Sequence, residues 1–289
     1  MLAVTAVALA LGSTCVVATA DTLYVSSFFP HSIFQVNPDG SNFVYAPGLA
    51  TSSYTPVFNA SGALFESEYF AGQIDRIAAD GSHSLFVNSA SATGLAFAGN
   101  GDLYAADYDH GNIYKITPGG VSTTFASGLV NPFGLTFDTQ GNLFVADNGA
   151  NVIDKIDKYG NISVFASVAR PTYMAFDVKK NLFVSSYGDY EIYKITPAQV
   201  KTAFAPVASP DGLAFDSAGY LYAAQEGGSI GIVKIATTGT ETLFSTGIPE
   251  PIGLAFRPNV TTTPEPGAIG LIAACGLTSA LAVRRKQKA

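Results

Sequence analysis

The chain has 289 residues, of which 48% are hydrophobic and 13% charged, with 20 Phe, 14 Tyr and no Trp. That composition supports a packed core and excludes a disordered chain. The formal charge is −7; setting aside Arg284, Arg285, Lys286, Lys288 and Glu265 leaves 11 basic and 21 acidic residues, about −10, which argues against nucleic acid as a partner.

Residues 1–20 read MLAVTAVALALGSTCVVATA, an apolar run ending in Ala18-Thr19-Ala20. A small-x-small ending predicts a signal peptide cleaved before Asp21. A buried strand or helix is the competing reading, and no Lys or Arg precedes the run, which leaves the true start codon open. Export is favoured because the repeats begin only at Leu23. The two cysteines, Cys15 and Cys275, fall in the apolar ends, so residues 21–258 carry no disulfide, thiolate metal site or cysteine nucleophile.

Residues 21–258 are self-similar. The anchors are Leu23-Tyr24-Val25, Leu64-Phe65-Glu66, Leu103-Tyr104-Ala105, Leu143-Phe144-Val145, Leu182-Phe183-Val184 and Leu221-Tyr222-Ala223, with leucines 41, 39, 40, 39 and 39 residues apart. A period near 40 built only of β-type segments predicts propeller blades of four antiparallel strands. Each period opens with a run such as Gly94-Leu95-Ala96-Phe97, Gly134-Leu135-Thr136-Phe137, Gly212-Leu213-Ala214-Phe215 or Gly253-Leu254-Ala255-Phe256. Tyr173-Met174-Ala175-Phe176 and Thr55-Pro56-Val57-Phe58 are weaker copies. A turn follows, with Gly101, Gly141 or Gly219 near its end, then the Leu-aromatic strand. The third strand is Ile113-Tyr114-Lys115-Ile116 and its relatives, and its isoleucines are expected to share one face while Lys meets water. The last strand ends in Phe86, Phe125, Phe165, Phe204 or Phe244.

The chain enters at a second-type strand and leaves after a first-type one. Three N-terminal strands and one C-terminal strand therefore complete a shared blade, which locks the ring. The fold class is all-β, a six-bladed β-propeller with 3+1 closure, followed by one C-terminal transmembrane helix. An open solenoid of stacked repeats is the alternative; the offset ends favour the ring.

Residues 259–266 read as a linker containing Pro264-Glu265-Pro266, and 267–289 as a transmembrane helix with a basic tail. Gly267 to Val283 gives 17 residues without a charge, at the lower limit for spanning a bilayer, and Arg284-Arg285-Lys286 follow at once. The positive-inside rule places the preceding domain outside the cytoplasm. Pro-Glu-Pro, apolar helix and basic cluster in that order resemble the PEP-CTERM sorting signal of bacteria that make extracellular polysaccharide. The same tail is also labelled an ice-binding protein C-terminal domain, a label for the tail alone. The resemblance implies an exosortase-type sorting enzyme as partner. It also implies a cell-surface or extracellular location, with membrane attachment through residues 267–283 until processing. A plain C-terminal anchor explains the helix and basic residues but not Pro264-Glu265-Pro266.

The units 94–107 and 134–147 lack the WD signature and resemble NHL repeats and the SMP-30/gluconolactonase/LRE-like family. Members of that family include lactonases, lyases, sugar binders and protein-binding platforms. Gluconolactonase-type members hold a divalent cation, Ca²⁺ or another, at the channel mouth, with ligands four positions before the closing aromatic of each innermost strand. Those positions here are Tyr54, Thr93, Phe133, Thr172, Asp211 and Ile252. Asp211, in Ser209-Pro210-Asp211-Gly212, matches the family's metal-binding and base aspartate; the family's Glu falls at Tyr54 and its Asn at Thr172. Asp211 is therefore the candidate catalytic and metal residue, with a turn residue before Gly212 as the other reading.

A second ring ends the second strands: Ser27, Glu68, Asp107, Asp147, Ser186 and Gln225. Phe28, Tyr69, Tyr108, Asn148, Tyr187 and Glu226 come next. One reading is an acidic, aromatic rim, with His110 beside it, that grips a polysaccharide or protein ligand. The other is that Asp107 and Asp147 only bond backbone N–H groups in their loops. His31, His83 and His110 fall in different loops and form no catalytic motif. The expected function is an exported, surface-displayed binding or scaffold module; the alternative is a metal-assisted lactonase, hydrolase or lyase.

Overall fold

The repeat makes strands because its apolar and aromatic residues recur at short intervals between Gly- and Asp-rich turns. In the computed structural model of the chain, the described residues are 21–89, 91–226 and 231–258. They form six four-stranded antiparallel sheets. Blade 1 joins Pro251–Phe256, innermost, to Leu23–Ser27, Ser32–Val36 and Asn42–Ala46, with Leu23 opposite Phe256 and Val25 opposite Leu254. Blades 2 to 6 follow in chain order, with innermost strands Ser53–Phe58, Ala92–Phe97, Pro132–Phe137, Pro171–Phe176 and Pro210–Phe215. The ring is an all-β six-bladed propeller closed by both ends of the repeat region. The expected signal peptide (1–20), linker (259–266), and transmembrane helix with basic tail (267–289) lie outside the described residues.

Six hydrophobic clusters hold the ring, each drawn from two adjacent blades. The aromatic of each second strand explains why. Phe144 meets Phe165 of its own blade at 5.0 Å and Phe176 of the next at 5.1 Å, both edge to face. Tyr222 repeats this with Phe244 and Phe256, both at 5.0 Å, and so carries the contact across the closure. Such pairs add roughly 0.5–1.5 kcal/mol beyond area burial.

One sequence expectation fails at the third strands. Ile113 and Ile116 are both fully buried, but an odd separation in a strand puts them on opposite faces. Ile113 packs in the cluster shared with blade 4 and Ile116 in the one shared with blade 2. A blade has neighbours on both faces, so its middle strands are apolar on both. Lys115 does lean outward, toward Asp102 at 2.9 Å.

The turns into the second strands are Asx-stabilised. Asp138 Oδ1 accepts the Gln140 and Asn142 N–H groups, and Gly141 closes the turn at φ 83°.

Candidate functional site

The innermost strands run so close together at the axis that four of them carry glycine at one position. A Cβ on Gly94 would lie 2.0 Å from the Phe133 carbonyl oxygen of the next blade. Gly134, Gly212 and Gly253 face Thr172, Ile252 and Tyr54 carbonyls in the same way, at 2.4, 2.2 and 2.2 Å. Blades 2 and 5, which lie opposite each other, depart from this rule with Thr55 and Tyr173. The buried Tyr173 reaches across the channel: its hydroxyl donates to the Tyr54 carbonyl at 2.8 Å and lies 3.1 Å from Thr55 Oγ1. These two residues bar the channel and give the mouth a floor.

Above this floor lies a cavity of about 280 Å³. Its lining includes five of the six predicted inner positions: Tyr54, Phe133, Thr172, Asp211 and Ile252. The sixth, Thr93, is buried away from it, its hydroxyl donating to Pro132 O at 3.1 Å. Rim residues Tyr108 and Tyr187 line the cavity with Phe28, Asn148 and Glu226.

The rim is aimed by a repeated backbone device. Ser91, Asn131, Arg170, Ser209 and Glu250, just before the innermost strands, hold left-handed φ between 41° and 57°. Their carbonyls accept the N–H groups of Tyr108, Asn148, Tyr187, Glu226 and Phe28 at 3.0 to 3.3 Å. Non-glycine residues held in this region carry strain, which concentrates at binding and catalytic sites. Arg170 and Glu250 themselves line the cavity, and the Arg170 guanidinium lies 4.9 Å from the Tyr187 ring centre. Sequence reasoning missed both; the signal was the residue before proline in Asn131-Pro132, Arg170-Pro171, Ser209-Pro210 and Glu250-Pro251.

The two sides of the mouth differ. Over blades 1 to 4 the rings connect: Phe28 to Tyr54 at 5.9 Å, Tyr54 to Phe133 at 5.8 Å, Phe133 to Tyr108 at 6.0 Å, and Tyr54 to Tyr69 at 5.5 Å. Over blades 5, 6 and 1 stand Arg170, Asp211, Glu226 and Glu250. Burial, and then the nearby Glu226, push the Asp211 carboxyl well above the usual carboxylate range. Glu226 is raised by burial and by Glu250, and burial with Asp211 nearby pushes Tyr54 up to about 12. Asp211 and Glu226 therefore keep their protons to higher pH than exposed carboxyls do, and when protonated they donate hydrogen bonds as well as accept them.

The other predicted rim acids turn inward. Glu68, Asp107 and Asp147 are buried rather than lining the mouth. Each end of a second strand must satisfy the loop folded over it. Glu68 Oε2 accepts Thr51 N–H at 3.0 Å, and both Asp147 oxygens lie 2.9 Å from Val130 N. Asp107 accepts the His110 N–H at 3.3 Å and lies 2.9 Å from its Nδ1. His110 is exposed, and Gln225 ends its strand opposite Pro210. Neither is among the cavity's lining residues. Tyr69 is tied outward, donating to Asp109 Oδ1 at 2.7 Å.

The divalent cation implied by the gluconolactonase resemblance does not fit this mouth. Asp211 is the one carboxylate among the six inner positions, and the acids that share its cavity, Glu226 and Glu250, stand beside Arg170 and do not converge with it as a ligand trio. Hard dications need several oxygen ligands. Among the described residues, the trio of His, Cys, Asp or Glu that does converge is Glu68, Asp75 and His83, elsewhere in blade 2.

Fold and mouth together define a six-bladed β-propeller with a walled, half-aromatic and half-acidic cavity over a barred channel. Solved structures share the fold at low identity. Virginiamycin B lyase from Staphylococcus aureus superposes with a TM-score of 0.63 at 18% identity, over 81% of this chain and 91% of that one. A chain of a nidogen/laminin complex gives 0.75 at 15%, over 83% and 99%. A gluconolactonase from Xanthomonas campestris gives 0.62 at 16%, over 79% and 86%. No protein-family model and no curated protein matches the chain.

Proposed function

We propose that the chain is an exported propeller whose channel mouth binds a hydroxyl-rich ligand, a polysaccharide segment above all. The carrying observation is the two-sided mouth. A connected wall of Phe28, Tyr54, Phe133 and Tyr108 faces Asp211, Glu226, Glu250 and Arg170 across one cavity. Aromatic faces cover sugar C–H surfaces, while carboxyl and guanidinium groups bond the hydroxyls. Barring of the channel by Tyr173 makes the mouth a dead end, suited to holding a ligand rather than passing one.

The reading of the chain ends supports export, surface display and sorting by an exosortase-type enzyme near Pro264-Glu265-Pro266. Glycan-array screening and calorimetry on the chain test the ligand. Tyr108→Ala and Arg170→Ala should each weaken binding at least about tenfold, the scale of a lost buried contact. Absence of binding to any glycan refutes the reading. Cell fractionation with N-terminal sequencing tests export, which requires a mature start at Asp21.

One observation favours a second reading, a hydrolase or lyase without a metal at the mouth. Asp211 is a buried carboxyl in a cleft whose affinity for its proton burial raises well above the usual carboxylate range, as a general acid requires. A lactone and ester hydrolysis screen separates the two: turnover abolished in Asp211→Asn supports catalysis, whereas glycan binding without turnover supports the first.

A further inference from the structure

We propose that Glu68, Asp75 and His83 form a binding site for a first-row divalent metal, Zn²⁺ above all, between the strands of blade 2. The three residues come from its second, third and outer strands, Leu64–Glu68, Gln73–Ile77 and His83–Asn88. One donor atom from each lies within 4.8 Å of the other two, and His83 Nδ1 is 2.9 Å from Asp75 Oδ2. Donor atoms at that separation form one edge of a coordination shell with bonds of about 2.1 Å.

Burial makes the trio more than an acidic cluster. Glu68 is 0% and Asp75 1% exposed. Glu68 Oε2 takes the Thr51 N–H, and Asp75 Oδ1 takes the Gln73 side-chain amide at 3.1 Å. Glu68 Oε1 is buried with no hydrogen-bond partner. A buried unpaired carboxylate oxygen beside a second carboxylate is costly, and only a proton or a cation relieves it.

The repeat supplies the comparison. Asp147 and Asp154 occupy the positions of Glu68 and Asp75 in blade 4, where Ile162 stands at the position of His83. There burial, and then the Asp147 charge, push Asp154 up to about 6. Blade 2 adds an imidazole whose side chain is 30% exposed, giving a cation both a nitrogen donor and a path from solvent. Phe34, Tyr114, Tyr193 and Val233 replace Asp75 in the other blades, so the trio is particular to blade 2. Imidazole with carboxylates suits Zn²⁺ and its neighbours rather than Ca²⁺ or Mg²⁺. The site differs from the mouth and does not depend on the reading of it.

The test is titration of the tag-free chain with ZnCl₂ by calorimetry, with metal counting after dialysis. One Zn²⁺ per chain is expected, with an upward shift of the thermal midpoint. His83→Ala, on the exposed outer strand, and Glu68→Gln, of equal shape, should each weaken binding at least tenfold, while His110→Ala leaves it unchanged. Circular dichroism without metal establishes that the variants fold. Zinc binding absent from the wild-type chain, or retained in folded His83→Ala, overturns the site.

Discussion

The Tyr173 hydroxyl ties opposite sides of the wheel, and the tie can be cut by removing a single oxygen. Tyr173→Phe keeps the ring and its 5.3 Å edge contact with Phe133. It deletes the hydroxyl that donates to the Tyr54 carbonyl and meets Thr55 Oγ1. The loss of a net hydrogen bond plus a carbonyl left without its donor costs about 1–3 kcal/mol. For a domain of this size that lowers the thermal midpoint by about 2–4 °C per kcal/mol. Urea unfolding should show a lower midpoint at unchanged slope, since no surface is added to the unfolding transition. Thr55→Val removes the other hydroxyl, and the double variant should cost less than the two singles together, with a coupling of about 0.5–1.5 kcal/mol. A Tyr173→Phe cost under about 0.3 kcal/mol, or strict additivity with Thr55→Val, refutes a cross-channel tie.

Gly94→Ala places a methyl 2.0 Å from the Phe133 carbonyl and 3.0 Å from Gly134 Cα, all backbone. It should cost more than about 3 kcal/mol or abolish folding, whereas Gly99→Ala, with open space around it, serves as a neutral control. Lys180 holds φ 65° where the matching turns use Gly101, Gly141 and Gly219, so Lys180→Gly should raise stability by about 0.5 kcal/mol in chemical denaturation. Burial and the Asp147 charge push Asp154 up to about 6. A raised folded-state carboxyl contributes its full stability below its unfolded pKa and loses it as pH rises through the folded one. Stability should therefore fall between about pH 4 and 6, by on the order of 1–3 kcal/mol, and Asp154→Asn should flatten that slope. Glu66, fully buried and pushed up to about 8, has the same sign over a wider window, so Glu66→Gln should gain stability above about pH 5.

The wheel was legible because its determinants are local and repeated. The Leu-aromatic anchors and Asx-Gly turns recur within each period, six copies average out any single exception, and the offset ends set the closure. The misassigned faces of Ile113 and Ile116 come from treating a blade as a sheet with one wet face, when stacking buries both. The mouth was half legible. Counting back from the closing aromatic located Asp211, Tyr54 and Phe133, since strand register carries position along the chain into height along the channel. For Asp107 and Asp147 it offered both a cavity and a loop role, because a carboxylate at a strand end serves either with the same spacing; the loop role matches their bonds to His110 and Val130 N–H, and Glu68 shares it. Arg170 and Glu250 escaped because their placement depends on a left-handed backbone, and the proline after each marks only a non-helical junction there.

A repeat protein separates scaffold from chemistry by position. Residues that obey the repeat, such as Gly94, Gly134 and the second-strand aromatics, are fixed by the neighbouring blade and have little freedom to vary. Residues that break it are released from that constraint, so they are where a particular chemistry can be written. The exceptions here are not scattered. Thr55 and Tyr173 break the glycine rule in opposite blades and meet each other. Asp211 stands at a position otherwise held by neutral residues, beside a side of the mouth that gathers Glu226, Glu250 and Arg170. His83 and Asp75 break the pattern of blade 2 and converge on the unpaired oxygen of Glu68. Departures from a repeat left by drift have no reason to touch. These meet in pairs and trios across strands and across the channel, which is why the mouth and the blade 2 trio, rather than the exposed His110, are the places to look for a ligand.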